Sequence, residues 1–328
     1  MRKLTLAALT LLIGTVGGLV FSYFGFPAAF LTGSALALTV AVVLGVPVRL
    51  PVRMRDPSFA ILGLMIGSAV KPDTLSALSS MPVAVVGLVF AVLAAVLSSF
   101  LVLRFVARWD VVTALCGSIP GALQTTLMVA IDAGARMDRV VMAQALRLLV
   151  LISIVPLLFG SGNTPDLEVA AAEDSAGLWR VALSIAIAMV SAVVGKRIGV
   201  PSAAMMTPLL VSAILSATGV FEVAIPGWLA AVAFVSLGAS VAERFAAVKR
   251  DEVGVMLLHA TLSFLAAVGS AIAVAAAVAA VLGMPVGAVF LAYAPGGLDA
   301  LIPLTFLLNY DIAFVATLQL TRFVLLSA

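Results

Sequence analysis

Ser118-Ile119-Pro120-Gly121-Ala122-Leu123-Gln124, followed by an apolar helix carrying Gln144 and Arg147, has a second version near the C-terminus. There the chain reads Tyr293-Ala294-Pro295-Gly296-Gly297-Leu298-Asp299, then Gln319 and Arg322. Pro120 and Pro295, Gly121 and Gly296, Leu123 and Leu298, Gln144 and Gln319, and Arg147 and Arg322 are each 175 positions apart. A constant offset of this kind marks a duplication. Proline and glycine interrupt a helix by removing a donor and relaxing the backbone. An arginine deep in an apolar segment is expensive and is read as functional by default. Each half therefore carries a broken segment beside a buried cation.

The rest of the chain supplies a membrane setting. Of its 328 residues 64% are hydrophobic and 10% charged, with a mean hydropathy of +1.28, too little polar surface for a water-soluble globule. Apolar runs near or above the roughly 20 residues needed to cross the hydrocarbon core recur from end to end. Their Ala, Leu, Val and Gly content suits helices rather than a barrel. The fold class is an all-α polytopic membrane protein. One cysteine, Cys116, and one histidine, His259, are too few for a Cys/His metal centre. No cofactor, no metal and no enzymatic activity are expected, and nucleic acid is not an expected partner.

The first span runs from Leu4 to about Tyr23, turned by Phe24-Gly25-Phe26-Pro27 into a second span ending near Val46. Leu178 to Ile198 and Gly199-Val200-Pro201 repeat this, with proline expected at the first helical position. An apolar segment from Ser58 to Val70 carries Gly63 and Gly67, and the segment from Trp228 to Val241 with Gly238 matches it. Spacing of this GxxxG type points to close helix packing. The runs from Met81 to Phe105 and from Val253 to Leu282 precede the two broken segments. Three parts follow: a first repeat at 4–159, an acidic linker at 160–177 and a second repeat at 178–328.

Counting about five crossings per half, with each Pro-Gly segment entering and leaving on one side, puts every loop cation but Lys71 and Arg180 on the starting side. That bias places both termini in the cytoplasm and the linker outside. An odd number of crossings per half inverts the second copy. Inverted repeats with interrupted helices meeting near the midplane are the architecture of secondary transporters. A split is also expected into one unit holding both broken segments with their arginine helices and a scaffold of the remaining spans.

The candidate solute-binding residues are Pro120, Gly121, Gln124, Thr125, Gln144, Arg147, Pro295, Gly296, Gly297, Asp299, Gln319 and Arg322. Arg147 lies about nine residues into its helix from Asp138, roughly 13 Å at helical rise, so it cannot easily reach an interface. Gln144 shares its face. The pair either binds a carboxylate or ties its helix to the carbonyls of the broken segment. Arg322 sits near the end of the chain and can snorkel. Asp299, opposite the neutral Gln124, is either a proton- or sodium-coupling acid or a structural partner of an arginine. Thr125 either adds a hydroxyl to the site or bonds back to its own helix.

At these residues the sequence resembles the AbrB family of bacterial membrane proteins, built from two copies of an AbrB duplication unit. The resemblance runs from about Leu11 to Phe323. Pro295-Gly296-Gly297-Leu298 fits the family's Pro-Gly-Gly pattern, whereas Pro120-Gly121-Ala122-Leu123 departs at the third position, and Gln144 and Gln319 stand where histidine is expected in many relatives. The resemblance implies a bacterial inner-membrane protein. The family name implies a link to gene regulation, and an ammonia monooxygenase label is also carried by relatives. A more distant likeness to cation-proton antiporters and anion transporters implies transport. The expected function is a secondary transporter of a small, anionic solute in the lipid bilayer. A membrane-embedded regulator is the alternative, monooxygenase activity is disfavoured, and self-association is left open.

Overall fold

In a computed structural model, residues 2–70, 81–119, 130–160, 177–200, 202–247 and 253–327 are described, and no strand occurs among them. The first half contributes α1 (Arg2–Tyr23), α2 (Ala29–Val43), α3 (Val52–Ser68), α4 (Met81–Leu101), α5 (Val111–Ser118) and α6 (Met137–Phe159). The second contributes α7 (Leu178–Arg197), α8 (Ala203–Ala217), α9 (Gly227–Ala242), α10 (Val253–Leu282), α11 (Val286–Tyr293), α12 (Leu298–Leu307) and α13 (Ile312–Ser327). Among the described residues, six helices are long and apolar enough to cross a membrane: Leu4–Tyr23, Met81–Val106, Met137–Phe159, Leu178–Arg197, Gly227–Ala246 and Met256–Leu282. Helices α2, α8, α12 and α13 are apolar but shorter, so the ten crossings expected from the sequence are not all matched by helices of spanning length. Most of the linker lies outside the described residues.

The duplication is written into the backbone. Left-handed φ angles occur in matched pairs: Gly25 with Gly199, Ala28 with Ser202, Gly45 with Gly219, Arg108 with Gly283, and Gly134 with Asn309. Each pair is 174 or 175 positions apart, and together they account for every positive φ among the described residues. Ala28 and Ser202 are the informative pair, because a side chain in this region is disfavoured and both copies nevertheless place one there, as the cap of α2 and of α8. Pro27 consequently precedes the cap instead of occupying the first helical position.

The copies are inverted. Helices α4 and α10 hold equivalent places before the two breaks, yet Gly87 faces Val278, Ser98 bonds Ser270 at 3.1 Å and Ser99 bonds Ser263 at 2.6 Å. Numbers fall along one helix as they rise along the other, so the two counterparts run antiparallel. Packing obeys the same exchange: α1 on α2 matches α7 on α8, and α2 on α9 matches α8 on α3.

The chain forms two compact units, each drawn from both halves. One comprises Met1–Thr74, Ile152–Glu243 and Ile302–Ile312; the other comprises Leu75–Leu151, Arg244–Leu301 and Ala313–Ala328. The second holds α5, α11, the break at Pro295 and both arginines, while the ends of α6 and α12 from Ile152 and Ile302 onward fall in the first, so the expected unit is met in part; it also contains α4 and α10, which were expected in the scaffold. The serine bonds above and the hydroxyl of Tyr293, which donates to Ala84 O at 2.7 Å, tie these long helices to the breaks.

Within the first unit, α3 and α8 are parallel and very close. A Cβ on Gly63 would lie 2.1 Å from Met205 O, and one on Gly67 would lie 2.1 Å from Leu209 O. Ser212 donates to Leu64 O at 2.5 Å and Ser216 to Ser68 O at 3.0 Å, a second set of contacts in the same register. The same unit shows how a proline inside an apolar helix is accommodated. Pro156 has no N–H, so the carbonyl of Ile152 loses its intrahelical partner, and the buried hydroxyl of Thr32 donates to it at 3.0 Å. Thr32→Val is expected to cost about 1–2 kcal/mol by leaving that carbonyl unsatisfied. In a Pro156→Ala background, where residue 156 regains its amide, the same change should cost clearly less. Equal losses in melting temperature in both backgrounds would contradict the exchange.

Candidate functional site

Each broken segment begins as a helix of eight residues. Asp110 caps α5 by accepting from Thr113 N at 2.8 Å, while Pro285 precedes α11. Both helices end for one local reason. The residue before a proline is driven out of the α region, and accordingly Ile119, before Pro120, has φ −64 and ψ 120, while Ala294, before Pro295, has φ −53 and ψ 136. The last carbonyls of each short helix are then left without intrahelical donors.

The polar residues of α6 and α13 take those carbonyls. Gln319 Nε2 donates to Leu291 O at 2.7 Å and to Ala292 O at 3.1 Å. Arg322 donates through Nη1 to Ala294 O and through Nη2 to Gly296 O. In the first half Gln144 Nε2 reaches Cys116 O at 3.5 Å, and Arg147 donates to Gly117 O at 2.7 Å, Ser118 O at 3.3 Å and Ile119 O at 3.2 Å. Gln144 to Cys116, Arg147 to Ile119, Gln319 to Leu291 and Arg322 to Ala294 each span 28 residues, so both copies dock in one register. A guanidinium at the negative end of a helix dipole is also favourably placed. The tie between arginine helix and broken segment is therefore present in both halves. Arg322 does not snorkel: it is 2% exposed and points inward.

These two docking sites converge. The break at Gly296 and Gly297 lies against Leu151 and Leu148 of α6, the helix that carries Arg147. Arg147 and Arg322 are within Coulombic reach of one another. Among the described residues no carboxylate oxygen lies within 4.0 Å of either guanidinium, so of the two readings of Asp299 the pairing with an arginine is not formed. The reason is geometric: Asp299 sits in the first turn of α12, beyond the carbonyls that occupy both guanidinium groups. Four buried polar atoms here have no protein partner: Arg147 Nε, Arg322 Nε, Asp299 Oδ1 and Gln319 Oε1. Pro303 has no N–H to donate to the carbonyl of Asp299 one turn before it.

The family model described as Transition state regulatory protein AbrB matches residues 30–328. The chain belongs to the AbrB family. A curated relative from Escherichia coli (strain K12), named "Putative regulator AbrB", is 25% identical over 307 residues, covering 90% of this chain and 86% of the relative. In this AbrB-family chain the sequence-derived residues Gln144, Arg147, Gln319 and Arg322 are buried together, Pro295 and Gly296 are buried beside them, and Gly297 and Asp299 are half-buried. Pro120, Gly121, Gln124 and Thr125 lie outside the described residues.

Two supports escaped the sequence reading. Tyr293 anchors the end of α11 to α4 through its hydroxyl. Trp109, buried just before α5, accepts from Arg104 through its carbonyl at 2.8 Å and lies under the Arg139 guanidinium, 5.5 Å from ring centroid. Neither has a distinguishing signal in sequence, where an isolated aromatic beside arginines reads as part of the interfacial belt.

Proposed function

We propose that this AbrB-family protein is a secondary transporter that moves a small anionic solute across the bacterial inner membrane by alternating access, without catalysing a covalent reaction. The observation that carries this reading is the pair of buried guanidiniums, within Coulombic reach of each other and with no carboxylate of the described residues in contact. Two like charges in a low-dielectric interior repel unless an anion lies between them. The inverted copies support alternating access, since exchanging their conformations gives two states that face opposite sides. Asp299, with a buried oxygen free of protein partners, is the proposed coupling acid for a proton or sodium ion.

The orientation follows from the basic loops: both termini cytoplasmic and the 160–177 linker outside. Cysteines introduced into the linker of a Cys116→Ala protein should react with an impermeant reagent added from outside; reaction from the cytoplasmic side alone would reverse the assignment. The solute reading is tested on purified protein by thermal shift. Small carboxylates should raise the melting temperature and ammonium should not. Stabilisation by ammonium, or by no small ion at all, would overturn transport of an anion and favour the regulatory role that the family description names.

A further inference from the structure

Trp109, in the turn between α4 and α5, is the hub of three arginines. Its carbonyl accepts from Arg104 Nη1 at 2.8 Å, its ring centroid lies 5.5 Å from the Arg139 guanidinium, and Arg108 is its neighbour in the chain. Trp109 is buried, so the three converge on a fixed point. Arg139 Nε is buried with no partner in the protein. Among the described residues no carboxylate oxygen lies within 4.0 Å of Arg104, Arg108 or Arg139. Arg136 and Asp138 pair with each other at 3.2 Å, and Asp110, within Coulombic reach of Arg139, turns its carboxylate to Thr113 N at 2.8 Å. Positive charge is in excess here.

The fold does not require this cluster. At the equivalent end of the second copy, 175 positions on, Arg104, Arg108, Trp109 and Arg139 are replaced by Ala279, Gly283, Met284 and Phe314, and the chain still turns into an eight-residue helix. Arg108 is the telling exchange. Both residues have a left-handed φ, 55° at Arg108 and 65° at Gly283, and only glycine takes that region without cost. Because the copies are inverted, the two ends face opposite sides, and the arginines serve one face alone. Bordering them, Phe105 and Val106 beside Arg104, and Val111 and Leu115 on one face of α5, are exposed large apolar residues. We infer that Arg104, Arg108 and Arg139 bind the phosphodiester of an anionic phospholipid whose acyl chains lie along that apolar border. Guanidinium forks match phosphate oxygens, and basic sites of this kind at helix ends hold lipid headgroups. A soluble phosphate would leave the apolar border unused. The site is separate from the buried arginines of the breaks and does not rest on the transport reading.

The test titrates the delipidated full-length protein, in neutral detergent, with phosphatidylglycerol and with phosphatidylcholine of the same chains. Native mass spectrometry and melting temperature read binding. Phosphatidylglycerol should bind about tenfold or more tightly, and glycerol 3-phosphate, which has the phosphate without the chains, should bind far more weakly. Arg108→Gly places at this turn the residue type that the second copy uses. It should therefore leave the lipid-free melting temperature unchanged while weakening phosphatidylglycerol about fivefold. Arg139→Gln should weaken it by a similar factor. Arg53→Gln is the control, since it removes the same charge from an exposed position in another basic loop, and it should change the affinity less than about twofold. Equal affinity for the two lipids, or equal losses in the Arg53 and Arg108 variants, would reduce the cluster to general charge attraction and overturn the site. Glycerol 3-phosphate binding as tightly as phosphatidylglycerol would overturn the lipid in favour of a soluble phosphate.

Discussion

Arg322→Met is expected to lower stability by about 2–4 kcal/mol and to abolish solute binding. Its guanidinium satisfies the carbonyls of Ala294 and Gly296, the first residue beyond α11 and the second residue of the Pro-Gly break. Hydrogen bonds to a charged donor are worth about 1.5–3 kcal/mol each, and Gly296 O, left without that donor in a buried site, would retain its full desolvation cost, whereas Ala294 O keeps the Gly296 N–H at 2.9 Å. Two effects oppose this loss. Methionine removes a charge from low dielectric, and it relieves the repulsion with Arg147. The net effect remains destabilising because Gln319 already commits its amide to Leu291 and Ala292 and cannot take over. Arg322→Lys should recover only part of the loss, since an ammonium on a flexible stem does not reproduce a planar fork held on two carbonyls. Thermal unfolding in detergent reads all three proteins. A methionine variant that melts with the wild type would mean that the carbonyls find other donors, and that the arginine is not what holds α11 to α13.

Gly63→Ala should be comparably damaging for a wholly different reason. A methyl group there would meet Met205 O at 2.1 Å and Met205 C at 2.9 Å, backbone atoms of a parallel helix that cannot rotate away. Either α3 and α8 separate along their whole contact, losing the Ser212 and Ser216 bonds, or the chain distorts. Overpacking of this sort costs about 1–3 kcal/mol and more where backbone is the obstacle. Gly67→Ala should behave alike, against Leu209 O. Gly269 on α10 provides the control: nothing lies within 4 Å of its would-be Cβ, so alanine there should be neutral or slightly stabilising by helix propensity. Equal melting temperatures for the Gly63 and Gly269 variants would refute the close approach.

Periodicity and local chemistry made much of this legible in advance. Pro120 and Pro295 must end the helices before them, because a missing N–H and a restricted preceding residue act within one turn of chain. Ile119 and Ala294 adopt the extended geometry that follows. The 175-residue offset carried the duplication, and the paired left-handed positions are its backbone record. Gln144 and Arg147, three positions apart, had to share a helix face. Hydropathy dictated an all-helical membrane chain, since lipid offers backbone groups no other partner.

Tertiary structure alone decided the partners. Arg322, near the end of the chain, had two equally good local options, an interface or the interior, and only the carbonyls of Ala294 and Gly296 at the break resolved the choice. Asp299 has two readings in sequence, a coupling acid or a partner of an arginine, and the second is not realised because hydrogen-bond geometry commits both guanidiniums to carbonyls, leaving its Oδ1 without a protein partner. Helices α4 and α10 look like any apolar span in sequence and belong with the broken segments because serines 164 and 172 residues apart meet across them. Sequence acts strongly over a helical turn, where covalent geometry and spacing set the outcome. Which carbonyl a buried cation finds depends on contacts 26 to 30 positions away within one copy, and which long helix packs on a break depends on contacts between residues 164 or more positions apart, which exist only once the two inverted copies have folded together.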